Sequence, residues 1–212
     1  MPDLSTDFDR NVFINCPFDV EYHKLLRPLL YVIVVLGFRP RIALEQSDSG
    51  ELRLTKIVQF VRESRFSIHD LSRLRAGAAG EFYRLNMPFE LGVEYGGRLL
   101  GRGRLREKRC LILEEQPFEF MRALSDLAGV DVKTHRCEPR ELVRHVRNWF
   151  VETAGSRNVP SATRLWEGFV DFTSALADTV EDAEISPEEL HRMPIAEYVE
   201  YARQWASEQS LG

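Results

Sequence analysis

The strongest chemical signal in the sequence is a carboxylate near the start of a predicted helix, in the segment NMPFELG at residues 86–92. Asn86 can cap this helix and Pro88 fits its first turn, which places Glu90 within about one turn of the amino end. The helix dipole favours an ionised carboxylate there, typically by ~0.3–1 kcal/mol. Such a group can stabilise a developing cation or act as a nucleophile, although an acid at this position can also serve only to stabilise the helix.

Short apolar runs alternate with longer amphipathic stretches around this segment, which is typical of a parallel sheet covered by helices. The predicted strands are 12–16, 39–45, 66–71, 109–114 and 131–135. The predicted helices include 22–36, 88–100, 118–128 and 138–153, and another whose buried stripe is Leu54, Ile57, Val58 and Val61. We therefore predict a three-layer, flavodoxin-like α/β fold with a parallel five-stranded sheet in the order 2-1-3-4-5.

In this strand order, ligands bind where the winding reverses, between the carboxyl ends of strands one and three. That rule selects the loop after the first strand and the segment that connects the third strand to the helix of Glu90. The candidate ligand-binding residues in these segments are Asn15, Pro17, Phe18, Asp19, Asp70, Ser72, Asn86 and Phe89. The polar members could instead satisfy turn backbone, and the two phenylalanines could instead belong to the core.

A histidine and an aspartate are adjacent at the end of the third strand. Neighbouring strand residues point to opposite faces, so His69 and Asp70 cannot both face one pocket. We therefore predict that Asp70 lies in the site and that His69 is a structural histidine bonded to a neighbouring backbone group.

Two charged clusters stand outside this proposed site. The basic cluster consists of Arg98, Arg102, Arg104, Arg106, Lys108 and Arg109. This cluster leads into the amino end of a strand, so we predict that it is a solvated loop at the edge of the sheet opposite Glu90. The alternative is that the cluster binds phosphate or an acidic partner surface. The pair Glu114-Glu115 ends the fourth strand on the ligand side, but without further ligands it does not indicate a metal site.

Several of these segments together resemble Toll/interleukin-1 receptor (TIR) domains. RNVFIN at 10–15 followed by Asp19 is similar to their first strand and loop, and 63–72 followed by NMPFEL is similar to their third strand, loop and Glu-Leu helix start. In this match Glu90 corresponds to their catalytic glutamate. The same block is similar to nucleoside 2-deoxyribosyltransferases, whose glutamate nucleophile occupies the equivalent helix. The resemblance covers roughly residues 10–150.

Both families cleave N-glycosidic bonds. The resemblance therefore implies a TIR-like nucleotide N-glycosidase or nucleotide-sugar transferase that acts on NAD or a nucleoside or nucleotide, as a bacterial defence effector or signal-maker. The nucleotide would be the substrate, with no resident cofactor or metal. A different class of function stays open: a non-catalytic module of the same fold that senses a nucleotide or oligomerises.

The resemblance also implies roles for the residues around Glu90, whose carboxylate would stabilise or trap the sugar cation. The carboxylates of Asp19 and Asp70 could hold ribose hydroxyls. Asn15 and Ser72 could donate hydrogen bonds to phosphate or base, and Phe18 or Phe89 could stack on a base.

Composition limits the function classes. The 212 residues carry 33 acidic and 28 basic side chains, a formal charge of −5, which lacks the basic excess of a dedicated nucleic-acid binder. The three cysteines form no CxxC pair, so we expect a reducing cytoplasm rather than a disulfide or zinc framework. The longest apolar run has eight apolar residues and a glycine, against the ~20 residues of a membrane span, so no membrane association is expected.

The polar segment 155–160 contains Gly and Pro and reads as a linker between an α/β domain at 1–154 and a helical extension at 155–212. In the extension, Leu165, Phe169, Phe172 and Leu176 fall at helical spacing, which predicts an apolar face. That face needs a partner, either the sheet domain or a second subunit. A homo-oligomer is the expected assembly.

Overall fold

The computed structural model describes residues 7–44, 50–74, 85–182 and 185–210. The five strands in these ranges are β1 (Asn11–Asn15), β2 (Arg39–Ile42), β3 (Phe66–Asp70), β4 (Arg109–Glu114) and β5 (Val132–Thr134). The α-helices of the α/β part are α1 (His23–Val35), α2 (Arg53–Glu63), α3 (Asn86–Leu100), α4 (Glu119–Ala123) and α5 (Pro139–Thr153). Three more helices follow, α6 (Ala162–Asp182), α7 (Pro187–Arg192) and α8 (Ile195–Ser210).

All four strand pairings are parallel and the order is β2-β1-β3-β4-β5, which confirms the predicted α/β fold. Because strand side chains alternate between faces, the register separates two layers. Phe13 of β1 packs against α2, while Ile14 of β1 and Ile68 of β3 pack in the core with α1 and α5. The sheet is therefore covered by helices on both faces.

Local sequence signals account for several boundaries. Gly37 ends α1 with φ +82°, a left-handed conformation that glycine adopts at low cost, and Phe38 N–H reaches back to Ile33 O at 3.0 Å. Ser186 and Glu189 form a reciprocal capping box at the start of α7. Both features follow from the residue types at these positions. None of the helices in the described ranges is long and apolar enough to cross a membrane.

Other boundaries differ from the prediction. The strands β2, β3 and β5 are each shorter than predicted by one residue or more, and position 45 lies outside the described residues. Strand β1 keeps its predicted length but begins and ends one residue earlier. The predicted helix 118–128 is interrupted at Leu124, so that α4 is followed by a separate 3₁₀ turn at Ser125–Leu127. The buried stripe of α2 includes Ile57, Phe60 and Val61, whereas Leu54 and Val58 are exposed on an open cleft. Periodicity predicted the helix, but it placed the face partly wrong.

A buried ion pair corrects the prediction for the basic cluster. Lys108 is fully buried rather than solvated: its Nζ lies 3.4 Å from Glu94 Oε1 of α3 and donates to the carbonyls of Val61 and Ser64 at the end of α2. Burial lowers the pKa of Lys108 and raises that of Glu94, while their mutual attraction opposes both shifts. This pair joins α2, α3 and the start of β4 at the amino edge of the sheet.

The helical extension packs on the α/β part of the same chain. Its buried residues share one apolar cluster with β1 and α1, and Tyr31 of α1 stacks on Phe172 of α6 with ring centroids 5.4 Å apart. Arg27 of α1 donates to Leu190 O at 2.7 Å and Tyr198 donates to Arg27 O at 3.2 Å. The apolar face predicted for the extension is thus covered by its own chain, through α1 and α5.

Candidate functional site

The site begins where the carboxyl ends of β1 and β3 meet the amino ends of α2 and α3. Glu90 is the fifth residue of α3 and only 3% of its surface is exposed. Its neighbours Met87 and Leu91 anchor the helix in a small apolar cluster with Ile112 of β4, which fixes the face of α3 that carries Glu90. A carboxylate is therefore held at the reversal point of the sheet, as predicted from the strand order.

The ionisation of Glu90 differs from the expectation. The helix begins at Asn86, which is not its cap, so Glu90 lies beyond the first turn and the helix end acts on it less. Burial instead raises the pKa of Glu90 to about 6, although the Arg53 guanidinium and the Asn86 amide both lower it. Near neutral pH this carboxyl group can exchange a proton as well as carry a negative charge.

Arg53 is a site residue that the sequence reasoning missed. It is the first residue of α2, and its Nη2 lies 3.8 Å from Glu90 Oε1. The guanidinium carbon lies 5.2 Å from the centroid of the Phe18 ring, within the range of a cation–π contact. The one signal that could have found it is its place at the start of a helix that follows a strand, since such helices begin at the same edge as Glu90.

The amide of Asn15 ties three elements together beneath the site. Its Nδ2 donates to Met87 O of α3 at 3.0 Å and lies 3.0 Å from His69 Nδ1 of β3. Burial and the nearby Lys108 lower the pKa of His69 to about 3, so its ring is neutral. His69 therefore has the structural place that was predicted, with a side-chain amide as its partner instead of a backbone group. Asn15 is fully buried and holds the strand ends, which corrects its expected role as a ligand contact.

Asp70 is enclosed by three hydrogen-bonding groups. The Tyr22 hydroxyl and His135 Nε2 donate to its Oδ2, the latter at 3.0 Å, and Ser72 N–H donates to its Oδ1 at 2.8 Å. Burial alone would raise the pKa of Asp70, but the bonds from His135, Ser72 and Tyr22 hold it below its ordinary value. With both oxygens engaged and no exposed surface, Asp70 does not offer an atom to a ribose hydroxyl, which corrects that expectation.

Ser72, His135 and Asp70 contain the residue types of a hydrolase triad, but their geometry is different. His135 Nδ1 accepts from Cys137 N–H at 3.1 Å, so Nε2 carries the proton and faces both Asp70 Oδ2 and Ser72 Oγ, the latter at 3.1 Å. In a catalytic triad, the serine and the carboxylate contact opposite ring nitrogens. The cluster is a buried, hydrogen-bonded link between β3 and the segment after β5, and the Ser72 hydroxyl is engaged by His135.

The remaining predicted residues surround Glu90 with varied exposure. Asp19 accepts from Tyr22 N–H at 3.0 Å and pairs with Arg73 at 3.1 Å, which ties the loop after β1 to the loop after β3. Phe18 is partly buried and Pro17 is buried, whereas Phe89 is 57% exposed and Asn86 is exposed. Phe89 is thus the more accessible of the two candidate stacking rings.

Three carboxylates act electrostatically on the thiol of Cys16, which directly follows β1. Burial raises the pKa of the Cys16 thiol, and the charges of Asp70, Glu90 and Asp19 raise it further. The thiol is therefore neutral and does not act as a nucleophile at physiological pH. Glu90 is the group in this set that combines a raised pKa with a nearby cation.

Two clefts open at this edge of the sheet. One, of about 720 Å³, is lined by Tyr22, Ser72, Arg73 and residues after β4 and β5. The other, of about 540 Å³, lies between Pro88 of α3 and α4. Each has a volume suited to a small molecule. Glu114 lies below them and orders α4 by accepting from Phe118 N–H at 2.9 Å, and no group of three His, Cys, Asp or Glu side chains in the described ranges is placed to hold a metal.

Comparisons of the chain with family models, curated proteins and solved structures found no match in any of the three.

Proposed function

We propose that this chain is a TIR-like nucleotide N-glycosidase or nucleotide-sugar transferase that uses Glu90 on NAD or a related nucleoside or nucleotide. The observation that carries the proposal is a carboxylate with 3% exposure and a pKa of about 6 at the reversal point of a 2-1-3-4-5 sheet. A buried carboxylate with a perturbed pKa at a ligand-binding edge is a candidate catalytic group on physical grounds.

The chemistry that fits this group is cleavage of a bond between a sugar carbon and a base nitrogen. As the bond breaks, its electron pair leaves with the base and a positive charge develops on the sugar ring. The Glu90 carboxylate stabilises or traps that cation, since a buried and preorganised charge interacts strongly with a charge that develops beside it. Where the cation is only stabilised, water or a nucleophilic atom of the substrate bonds to the sugar carbon, and the proton it loses passes to the Glu90 carboxylate. Where Glu90 has trapped the sugar as an ester, the same attack breaks the ester bond and releases the Glu90 carboxylate, and the proton passes to the departed base.

The test is base release from NAD and from a panel of nucleosides and nucleotides, followed by chromatography with the wild-type protein and Glu90→Gln. We expect release by the wild type and a loss of about 10³-fold in Glu90→Gln, because the substitution keeps the shape but removes the charge. Glu107→Gln is the control, because Glu107 is exposed at the opposite edge of the sheet and should leave the rate unchanged. Release that survives in Glu90→Gln would contradict the proposal.

The rate should also depend on pH in a defined direction. The carboxylate form of Glu90 is the reactive one, so kcat/KM should rise with pH and level off above the pKa of about 6. A profile that is flat between pH 5 and pH 8 would indicate that another group carries the reaction.

A second function is favoured by the burial of Asn15, Asp70 and Ser72, which leaves fewer groups to hold a reacting sugar. It is a non-catalytic module that binds a nucleotide as a signal. Under this alternative no base is released, but a nucleotide raises the melting temperature of the wild type and Glu90→Gln keeps its function in cells.

A further inference from the structure

We propose that Arg53 is the phosphate-binding residue of this site, so that the preferred substrate is a nucleotide and not the corresponding nucleoside. The proposal rests on the proposed function, since it specifies the substrate of the same site. Nothing in the motifs of the sequence points to Arg53, and its role is argued from its contacts.

The contacts of the Arg53 guanidinium leave its N–H donors available. The 3.8 Å between Nη2 and Glu90 Oε1 is an ion-pair distance but too long for a hydrogen bond. Within the described part of the chain, the guanidinium donates no hydrogen bond, and 52% of the side chain is exposed. Its contact with the Phe18 ring orients the group without using its N–H donors. The planar fork of donors is therefore preset to receive two oxygens of an anion.

Arg73, in the loop after β3 at the same edge of the sheet, differs from Arg53 in its ion pairs. Arg73 Nη2 lies 3.1 Å from Asp19 and 2.9 Å from Glu21, so its charge is already compensated by two carboxylates. Arg53 faces one carboxylate at a longer distance, and that carboxylate is protonated in part near pH 6. Of the two arginines, Arg53 is the one that a phosphate can engage without first breaking close ion pairs.

The position of Arg53 at the amino end of α2 also favours binding of an anion. Arg53 opens α2, an eleven-residue helix whose cap residue Leu52 makes no side-chain hydrogen bond to the first turn. The N–H groups of that turn add to the attraction for an anion on the same edge. Glu90 would act at the sugar carbon that bears the base, and Arg53 lies beside Glu90. A phosphate on the same sugar is thus the anion that Arg53 could reach during the reaction.

Binding in this way has a measurable consequence for Glu90. When the guanidinium turns toward phosphate, Glu90 loses the cation that lowers its pKa, so its pKa rises in the complex. The acid limb of kcat should therefore lie at higher pH than the acid limb of kcat/KM, because the two report the bound and the free enzyme.

The test uses nicotinamide mononucleotide and nicotinamide riboside, which differ only in the 5′-phosphate. Their dissociation constants are measured by calorimetry on Glu90→Gln, which prevents turnover, and on Glu90→Gln with Arg53→Met. We expect the mononucleotide to bind about 10–100-fold more tightly than the riboside, and we expect most of that difference to vanish with Arg53→Met. Arg53→Lys, which keeps the charge but loses the fork, should retain part of it.

Arg62→Met is the matched control, because Arg62 is an exposed arginine in the last turn of the same helix and should leave the difference unchanged. Equal affinity for the two compounds, or a preference that survives Arg53→Met, would overturn the role of Arg53. Base release by the wild type is scored separately. Release of nicotinamide from both compounds at equal kcat/KM would keep the proposed function but reject this inference, whereas a phosphate preference without release would keep the phosphate site and reject the glycosidase.

Discussion

At the residue scale, Glu90 combines its proposed chemical role with a cost in stability. Its pKa of about 6 lies above the ordinary 4.5, so the folded protein binds this proton more tightly than the unfolded chain does. For an acid with a raised folded pKa, the folded state loses stability as the pH rises from the unfolded value through the folded one. The ionised carboxylate is therefore tolerated in the fold without stabilising it, which is common for groups retained for function.

This gives a prediction for Glu90→Gln. At pH 8 the variant should be more stable than the wild type by about 2 kcal/mol, or roughly 4–8 °C in melting temperature. At pH 5, where the wild-type carboxyl group is largely protonated in the folded state, the gain should be less than half as large. Thermal unfolding of both proteins at the two pH values measures the difference. A gain of equal size at both pH values would show that ionisation is not its cause.

The sequence was sufficient to place Glu90 but not its surroundings. The helix of Glu90 and the alternation of strands and helices depend on local pattern, so they could be read directly, although Asn86 is the first residue of that helix and not its cap. The partners of Asp70 could not, because Tyr22 and His135 are 48 and 65 residues away from it along the chain. A short motif cannot show which of its polar groups are already satisfied by such distant side chains.

At the element scale, α2, α3 and β4 are joined by a charge pair inside the protein. Lys108 has 0% and Glu94 has 1% side-chain exposure, so each charge depends on the other for compensation. From sequence, Lys108 looked like one of six cations in a solvated loop. Its burial follows from the docking of α3, a tertiary event that composition does not report.

The pair predicts strongly non-additive effects of substitution. Lys108→Met leaves the Glu94 carboxylate buried without its cation and should cost about 3–5 kcal/mol. Glu94→Gln should cost less, because Lys108 keeps the carbonyls of Val61 and Ser64 as acceptors. In urea unfolding, the double variant Lys108→Met with Glu94→Gln should be more stable than the sum of the single effects predicts, by about 2 kcal/mol. Simple additivity would mean that the two charges do not interact.

At the scale of the whole molecule, the helical extension and the sheet share one interior. A close approach between them is at Gly168 of α6, where an added Cβ would lie 2.6 Å from the Tyr31 hydroxyl oxygen of α1. Tyr31 is held between Phe169 and Phe172, so it has little room to move. The linker signal at 155–160 was visible in the sequence, but the surface on which the extension docks was not, because an apolar helix face looks the same whether it covers a sheet domain or another subunit.

Gly168→Ala tests this packing. Alanine normally stabilises a helix relative to glycine by up to about 1 kcal/mol. Here the clash with Tyr31 should reverse the sign and destabilise the protein by about 1–3 kcal/mol. Gly96→Ala in α3 is the matched control, since a Cβ there would meet no described atom within 4 Å, and it should be neutral or stabilising. Tyr31→Phe, which removes the opposing oxygen, should rescue Gly168→Ala, and a failure of rescue would place the strain elsewhere.

The two edge strands of the sheet, β2 and β5, limit how copies of this chain can associate. Strand β2 has four residues, in which Pro40 lacks a backbone donor and stands between Arg39 and Arg41, and β5 has only three residues. Short, charged or proline-containing borders are poor templates for a strand from another molecule. Pairing of β2 or β5 with a strand of another copy, which would join two sheets into one, is therefore disfavoured. Any association between copies of this chain is accordingly expected to use helical surfaces, and the native protein should resist growth into fibres by strand addition.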